Sequence, residues 1–243
     1  YEPCVVKQEE TADPNMATSD KMIGSSAAWA AGYTGAGSRI AIIDTGADVD
    51  HPSLDPDALK YALQGSNATI MTEADLTDEV LNQLNAYTRK AGLTAADFYV
   101  NEKIPFGFNY VDADTDITHD NDTQGDHGSH VTGIAAGNRF VKDEAGNYVA
   151  ALDSVMTQGV APDAQILTMK VFGKGGGAYD SDYMAALEDA LLLDCDTVNL
   201  SLGSSVSGHT FSDNDELFAS LQDTDTVVTI SAGNKFSYAQ YNN

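Results

Sequence analysis

Beyond residue 164 the chain alternates short apolar runs with helix-length stretches. Apolar runs fall at 165–171, 197–200 and 226–230, with helical patterns between them at 181–193 and 213–221. Strands separated by helices pair in parallel, because each crossover lays a helix on a sheet face and returns the chain in the same direction. An earlier run, Arg39-Ile40-Ala41-Ile42-Ile43, ends at once in Asp44-Thr45-Gly46. That is the pattern of a buried parallel strand presenting a polar side chain at its C-terminal end. The predicted fold class is α/β, a parallel sheet flanked by helices, and in such sheets sites gather at the strand C-terminal ends.

Ahead of the first strand, residues 1–20 are polar and poorly periodic. Met22, Ile23, Ala27, Trp29 and Ala30 then give a helical stripe ending at Gly32, so 1–38 reads as an arm with a short helix. The sheet domain occupies 39–243. Within it, 55–103 alternates charged and apolar residues with helical spacing at Leu76, Val80, Leu81 and Leu84, and is read as a surface insertion without recognisable chemistry. Lys and Arg total 12 against 37 Asp and Glu, a formal charge of −25, which excludes nucleic acid and anionic membrane as partners. No membrane span is expected, since no stretch of about 18 apolar residues occurs, and no basic-then-apolar leader opens the chain. Cys4 and Cys195 are too few for a disulfide scaffold, and Cys195 lies in an apolar run that suits a buried thiol.

Three segments carry chemistry. Asp44, then His127 in Asp126-His127-Gly128-Ser129-His130, then Asn234 in Ser231-Ala232-Gly233-Asn234 supply an acid, a base and an amide donor in that order. An aspartate that accepts from one imidazole nitrogen leaves the other as a base, and an amide N–H can stabilise an oxyanion. The small-residue run 131–137 suits a tightly packed helix with His127 in its first turn and His130 as a packed core residue. Asp-Thr-Gly also matches the signature of aspartic proteases, but that mechanism needs a second such aspartate in an all-β fold and leaves His127 and Asn234 unused. Zinc is not expected from His127-x-x-His130, which lacks a third ligand. The sequence Asp112-x-Asp114-x-Asp116 opens like an EF-hand loop but has Ile117 for the glycine and Thr123 for the bidentate glutamate. No cofactor is assigned, and a looser calcium site among Asp112, Asp114, Asp116, Asp120 and Asp122 stays open beside a solvated acidic loop.

These segments resemble the catalytic Asp, His and oxyanion Asn motifs of the subtilisin-like serine proteases. The stretches 159–165, 169–171 and 199–203 resemble that family's framework. Lys103-Ile104-Pro105-Phe106-Gly107-Phe108-Asn109-Tyr110 is similar to the lactocepin branch, the cell-envelope proteinases of bacteria. The resemblance implies a serine endopeptidase with catalytic Asp44, His127 and Asn234, secreted or at the cell surface, whose rate falls as His127 protonates. It also implies that an extended peptide is held by Gly175, Gly176 and Gly177 on one side and Ser201, Leu202 and Gly203 on the other; Tyr179 and Tyr183 either line the pocket beyond or are core residues. The calcium-ligating aspartate of compact subtilisins is replaced by Ser53.

The family's nucleophile sits in Gly-Thr-Ser-Met-Ala, and no such string occurs between Tyr1 and Asn243. The run Gly203-Ser204-Ser205-Val206-Ser207-Gly208 misses the Gly-x-Ser-x-Gly elbow by one position. The sheet is therefore expected to be incomplete in this chain, and the partner to be a C-terminal chain of the same precursor, released by processing near Asn243, that carries the serine. The alternative is an inactive peptide-binding or scaffold fragment.

Overall fold

Ile40, Ile42 and Ile43 are β-branched, and β1 (Arg39–Asp44) is the middle strand of the sheet, its last four residues all buried. The computed structural model describes residues 17–118, 125–154, 157–173, 177–203, 221 and 224–231. Besides β1, the parallel sheet contains β2 (Phe106–Asn109), β5 (Gln165–Lys170), β6 (Thr197–Leu200) and β7 (Val227–Ile230), in the order β2-β5-β1-β6-β7. A separate antiparallel hairpin joins β3 (Phe140–Lys142) to β4 (Tyr148–Ala150). Helices are α1 (Ala17–Ile23), α2 (Ser25–Ala30), α3 (Pro56–Ala62), α4 (Asp78–Leu81), α5 (Asn85–Arg89), α6 (Ala95–Phe98), α7 (His127–Ala136) and α8 (Asp180–Leu192). The strands read from the sequence are present, and α8 fills the helical pattern between β5 and β6. The pattern at 213–220 lies outside the described residues. Asp44 pairs with Lys170 and Ile42 with Asn199, so the ends of β5 and β6 flank the end of β1 on either side.

Two expectations need correction. The N-terminal helical stripe is broken at Gly24, which has φ 83°, and Met22 and Ile23 are exposed rather than packed. Trp29 ties that region to the rest of the domain, donating from Nε1 to the carbonyl of Val160 at 2.8 Å. The stretch 55–103 is not a surface layer. Leu76, Leu81, Leu84, Ala86 and Phe98 are buried in the same core as Ala41, Ile43, Phe106 and Leu187, with Phe98 stacked on Phe106 at 5.4 Å. Buried polar side chains fasten it. Gln165 accepts from Met71 N–H at 2.7 Å and donates to the carbonyls of Met71 and Glu102. Asp189 on α8 accepts from the N–H groups of Asn85 and Ala86 and from the Tyr110 hydroxyl. Burial holds the Asp189 carboxyl above its usual range, against the opposing pull of those N–H donors.

Lys103 is fully buried and donates from Nζ to the carbonyls of Pro162 and Ala164 at 2.9 and 2.8 Å, pinning the loop that enters β5. Burial lowers its amine from 10.5 to about 7, Asp163 opposing. A neutral amine still has two hydrogens, one for each carbonyl. Above pH 7 the folded amine is increasingly neutral while the unfolded one stays protonated, so the unfolded state binds more protons and stability rises with pH. The Tyr110 phenol acts in the opposite sense. Burial, with Asp189 beside it, holds it well above 10.0, so the unfolded state loses that proton first and stability falls above about pH 10. Urea midpoints are thus expected to rise between pH 7 and 9, by up to about 1.4 kcal/mol per pH unit from this one group. In Lys103→Met the rise should flatten, and an equally steep rise in that variant would overturn the assignment.

Candidate active site

Asp44 ends β1 with only 1% of its surface exposed. Its Oδ1 accepts from the N–H of Thr45 at 2.7 Å and lies 2.8 Å from His127 Nδ1. With the proton on Nδ1, that contact is a hydrogen bond to carboxylate, and it leaves Nε2 as the unprotonated nitrogen. His127 is the first residue of α7, and its side chain is 54% exposed. Asp44 and His127 are therefore in contact, the carboxylate buried and the imidazole open to solvent. His130 does not match its expectation. It is exposed, because three residues along a helix it shares the outward face of His127.

The turn after β1 fixes where α7 starts. Asp126 precedes the helix but makes no side-chain cap. Instead, the Thr45 hydroxyl accepts from the N–H of Gly128 at 2.9 Å and donates to the carbonyl of Gly125 at 3.3 Å. Ser129 Oγ accepts from the N–H of Asp48 at 2.7 Å. Lys170, buried at the end of β5, donates from Nζ to the carbonyl of Thr45 at 2.6 Å. Sequence reasoning missed Thr45 and Lys170. The first was visible within Asp44-Thr45-Gly46 but was weighed only as part of an aspartic-protease signature, and the second only as framework.

Two glycines fit this turn between its neighbours, Gly46 against the Ile117 backbone and Gly128 against the turn itself. Gly46 has φ 105°, and a Cβ there would lie 2.2 Å from the carbonyl oxygen of Ile117, which already accepts from Ala47 N–H. A Cβ on Gly128 would lie 2.2 Å from the carbonyl oxygen of Gly46.

Of the segments expected to hold a peptide, 201–203 and Gly177 are among the described residues. Ser201, Leu202 and Gly203 follow β6, beside β1. Asn199 Nδ2 donates to Ser201 Oγ, and the Leu202 carbonyl accepts from Ser231 Oγ at 2.8 Å. Gly203 is exposed, with open space where a side chain would stand. Gly177, in the connection from β5 to α8, is exposed. Asn234, Gly175 and Gly176 lie outside the described residues. Of the two tyrosines read as pocket or core, Tyr179 is 65% exposed, whereas Tyr183 is a core residue at 4%.

Among the described residues, no group of three or more His, Cys, Asp or Glu side chains is gathered to hold a metal ion. Asp114 Oδ1 accepts from Asp116 N–H, and Asp116 Oδ1 from Thr118, so these carboxylates shape the loop's own turns. Asp120 and Asp122 lie outside the described residues. At the position of the compact-subtilisin ligand, Ser53 is buried with its Oγ 2.6 Å from His51 Nδ1. No helix among the described residues is long and apolar enough to cross a membrane.

The chain matches the model of the Subtilase family over residues 35–242. The PI-type proteinase of Lactococcus lactis subsp. cremoris is 33% identical over 231 residues, covering 91% of this chain and 10% of that protein. Minor extracellular protease Vpr of Bacillus subtilis is 30% identical over 208 residues, covering 84% of this chain and 18% of that protein. A C5a peptidase of Streptococcus pyogenes is 26% identical over 208 residues, covering 84% and 15% respectively. The chain thus spans about a tenth of the length of the lactococcal proteinases it matches.

The packing at the helix start separates two glycines of α7. Gly128→Ala should destabilise the fold by about 1–3 kcal/mol through the forced contact with Gly46. Gly133→Ala has nothing within 4 Å of the new methyl outside its own helix, so it should stabilise by about 0.5–1 kcal/mol. Chemical denaturation of the two variants checks the opposite signs, and equal effects would show that Gly128 is not the point of contact.

Proposed function

Because the chain belongs to the subtilase family, we propose that it carries the acid–base machinery of a serine endopeptidase whose nucleophile comes from C-terminal sequence of the same precursor, outside these 243 residues. The observation that carries this reading is the 2.8 Å contact between buried Asp44 and the half-exposed imidazole of His127. Asp44 holds the proton on Nδ1 and stabilises the imidazolium that forms. Nε2 takes the serine hydroxyl proton as the oxygen attacks a peptide carbonyl, then returns it to the leaving amine as the acyl-enzyme forms. A second cycle with water releases the acid. Asn234 is assigned the oxyanion donor role, since a side-chain amide can donate to the negative oxygen of the tetrahedral intermediate. The peptide lies extended between Gly175–Gly177 and Ser201–Gly203, where absent or small side chains let its backbone approach. The Bacillus relative is named an extracellular protease, which supports a secreted or cell-surface location for a bacterial protein of this kind.

A fluorophosphonate probe applied to the native full-length protein tests the assignment, with the label located by peptide mass spectrometry. The label is expected on a serine outside residues 1–243 and should be lost in His127→Ala. Loss of the triad aspartate costs about 10⁴ in turnover in serine proteases of this mechanism, and a comparable fall is expected for Asp44→Asn. Label on a serine within these residues would overturn the placement of the nucleophile. Labelling that survives His127→Ala would overturn the base. No label, with peptide binding retained, would leave a peptide-binding scaffold.

A further inference from the structure

We infer that Thr45 is the positioning residue of this site, setting the distance between acid and base by holding the backbone on both sides of His127. The inference rests on the reading of His127 as the base. Gly125 lies two residues before His127 and Gly128 one after, and the Thr45 hydroxyl bonds to both, donating to the first and accepting from the second. A hydroxyl does this from a single atom, donating its hydrogen to one backbone group and accepting at a lone pair from the other. The bond to Gly128 also satisfies a first-turn N–H that has no intrahelical acceptor.

Thr45 is itself fixed at its remaining polar groups. Its N–H donates to Asp44 Oδ1, and its carbonyl accepts from Lys170 Nζ. It is covalently next to the acid, 5% exposed, and β-branched, so its χ1 is restricted. Any displacement of the Gly125–Gly128 segment is therefore measured against Asp44 through one rigid residue. The hydroxyl touches neither the His127 ring nor the reacting atoms, so its effect runs through placement alone.

The test compares Thr45→Val and Thr45→Ser in the native full-length protein. Valine keeps the branching and loses the hydroxyl, while serine keeps the hydroxyl and loses the methyl. A misplacement on the order of 1 Å can cost about 100-fold in rate. Thr45→Val should lower both kcat and the rate of fluorophosphonate labelling by roughly 10- to 100-fold with KM within about twofold, and Thr45→Ser should recover most of the loss. A Thr45→Val protein that melts at lower temperature but keeps its kcat when folded would overturn the inference, because that is how a mere space-filler behaves. Amide hydrogen exchange in the unmutated protein gives a reading that needs neither turnover nor a stable variant. Gly128 N–H should exchange as slowly as the interior amides of α7, and exchange as fast as an exposed loop amide would overturn the inference. Absence of any label in the unmutated protein tells against the protease reading instead, leaving the exchange result to judge Thr45.

Discussion

The middle strand of the sheet delivers a carboxylate into almost complete burial, and the surrounding architecture answers that one demand. An acid withdrawn from water is costly unless N–H donors meet it. At Asp44 two donors converge on Oδ1, Thr45 N–H and His127 Nδ1, while Oδ2 is buried without a hydrogen-bond partner among the described residues. One donor is local and follows from the turn. The other must be brought from 83 residues away, and it arrives only if α7 begins in contact with that turn. At that contact Gly128 leaves no side chain between α7 and the Gly46 carbonyl, and its N–H donates to the Thr45 hydroxyl. The dyad is thus less a pair of residues than the meeting of a strand end with a helix start, and its geometry is as rigid as that junction.

The same logic, a buried polar side chain standing in for missing backbone partners, governs how 55–103 joins the sheet. Its helices are short, four to seven residues, and cannot be stable alone. Asp189 supplies acceptors for the unpaired N–H groups at the start of α5, and Gln165 pairs with Met71 as a neighbouring strand would. Arg89 closes the last turn of α5 against Asp182 and the Tyr110 carbonyl. Each connection leaves a buried group unsatisfied if its partner is lost, which costs more than the bond itself contributes. A segment attached in this way belongs to the domain core.

Different signals explain what was legible in the sequence. The strands were readable because parallel strands buried on both faces are continuous apolar runs, and the period of α8 is long enough to register. Asp44 and His127 were readable because each stands in a motif whose chemistry demands it. The packing of 55–103 was hidden, since in a four-residue helix one apolar side chain facing the core looks the same as one facing solvent. Leu84 and Phe98 are fully buried, yet nothing in their spacing distinguishes them from exposed Val100. His130 was misjudged for the opposite reason. Small residues along 131–137 indicate close packing but not which side of the helix packs, and α7 packs by the side that carries Gly128, Thr132 and Ala136, leaving the histidine face open. Thr45 was hidden inside a familiar tripeptide, because hydroxyl bonding to a distant backbone leaves no trace in spacing.

Charge distribution follows from the same internal bonding. Only 12 cationic side chains face 37 acidic ones, and several of the 12 point inward. Lys103 and Lys170 are buried on backbone carbonyls, while Arg89 and Arg139 are held against Asp182 and Asp163. Their role is to join loops to the core, and Asp20, Asp44, Asp163, Asp182 and Asp189 are buried as well, so the exterior keeps the strongly acidic balance of the composition. A field of that sign concentrates cationic ligands near the surface and repels nucleic acid and anionic lipid, most strongly at low ionic strength. The wet end of the site shares that exterior. His127 opens onto it while Asp44 stays inside, so a charged ligand nearing that imidazole meets the long-range field of the whole chain first.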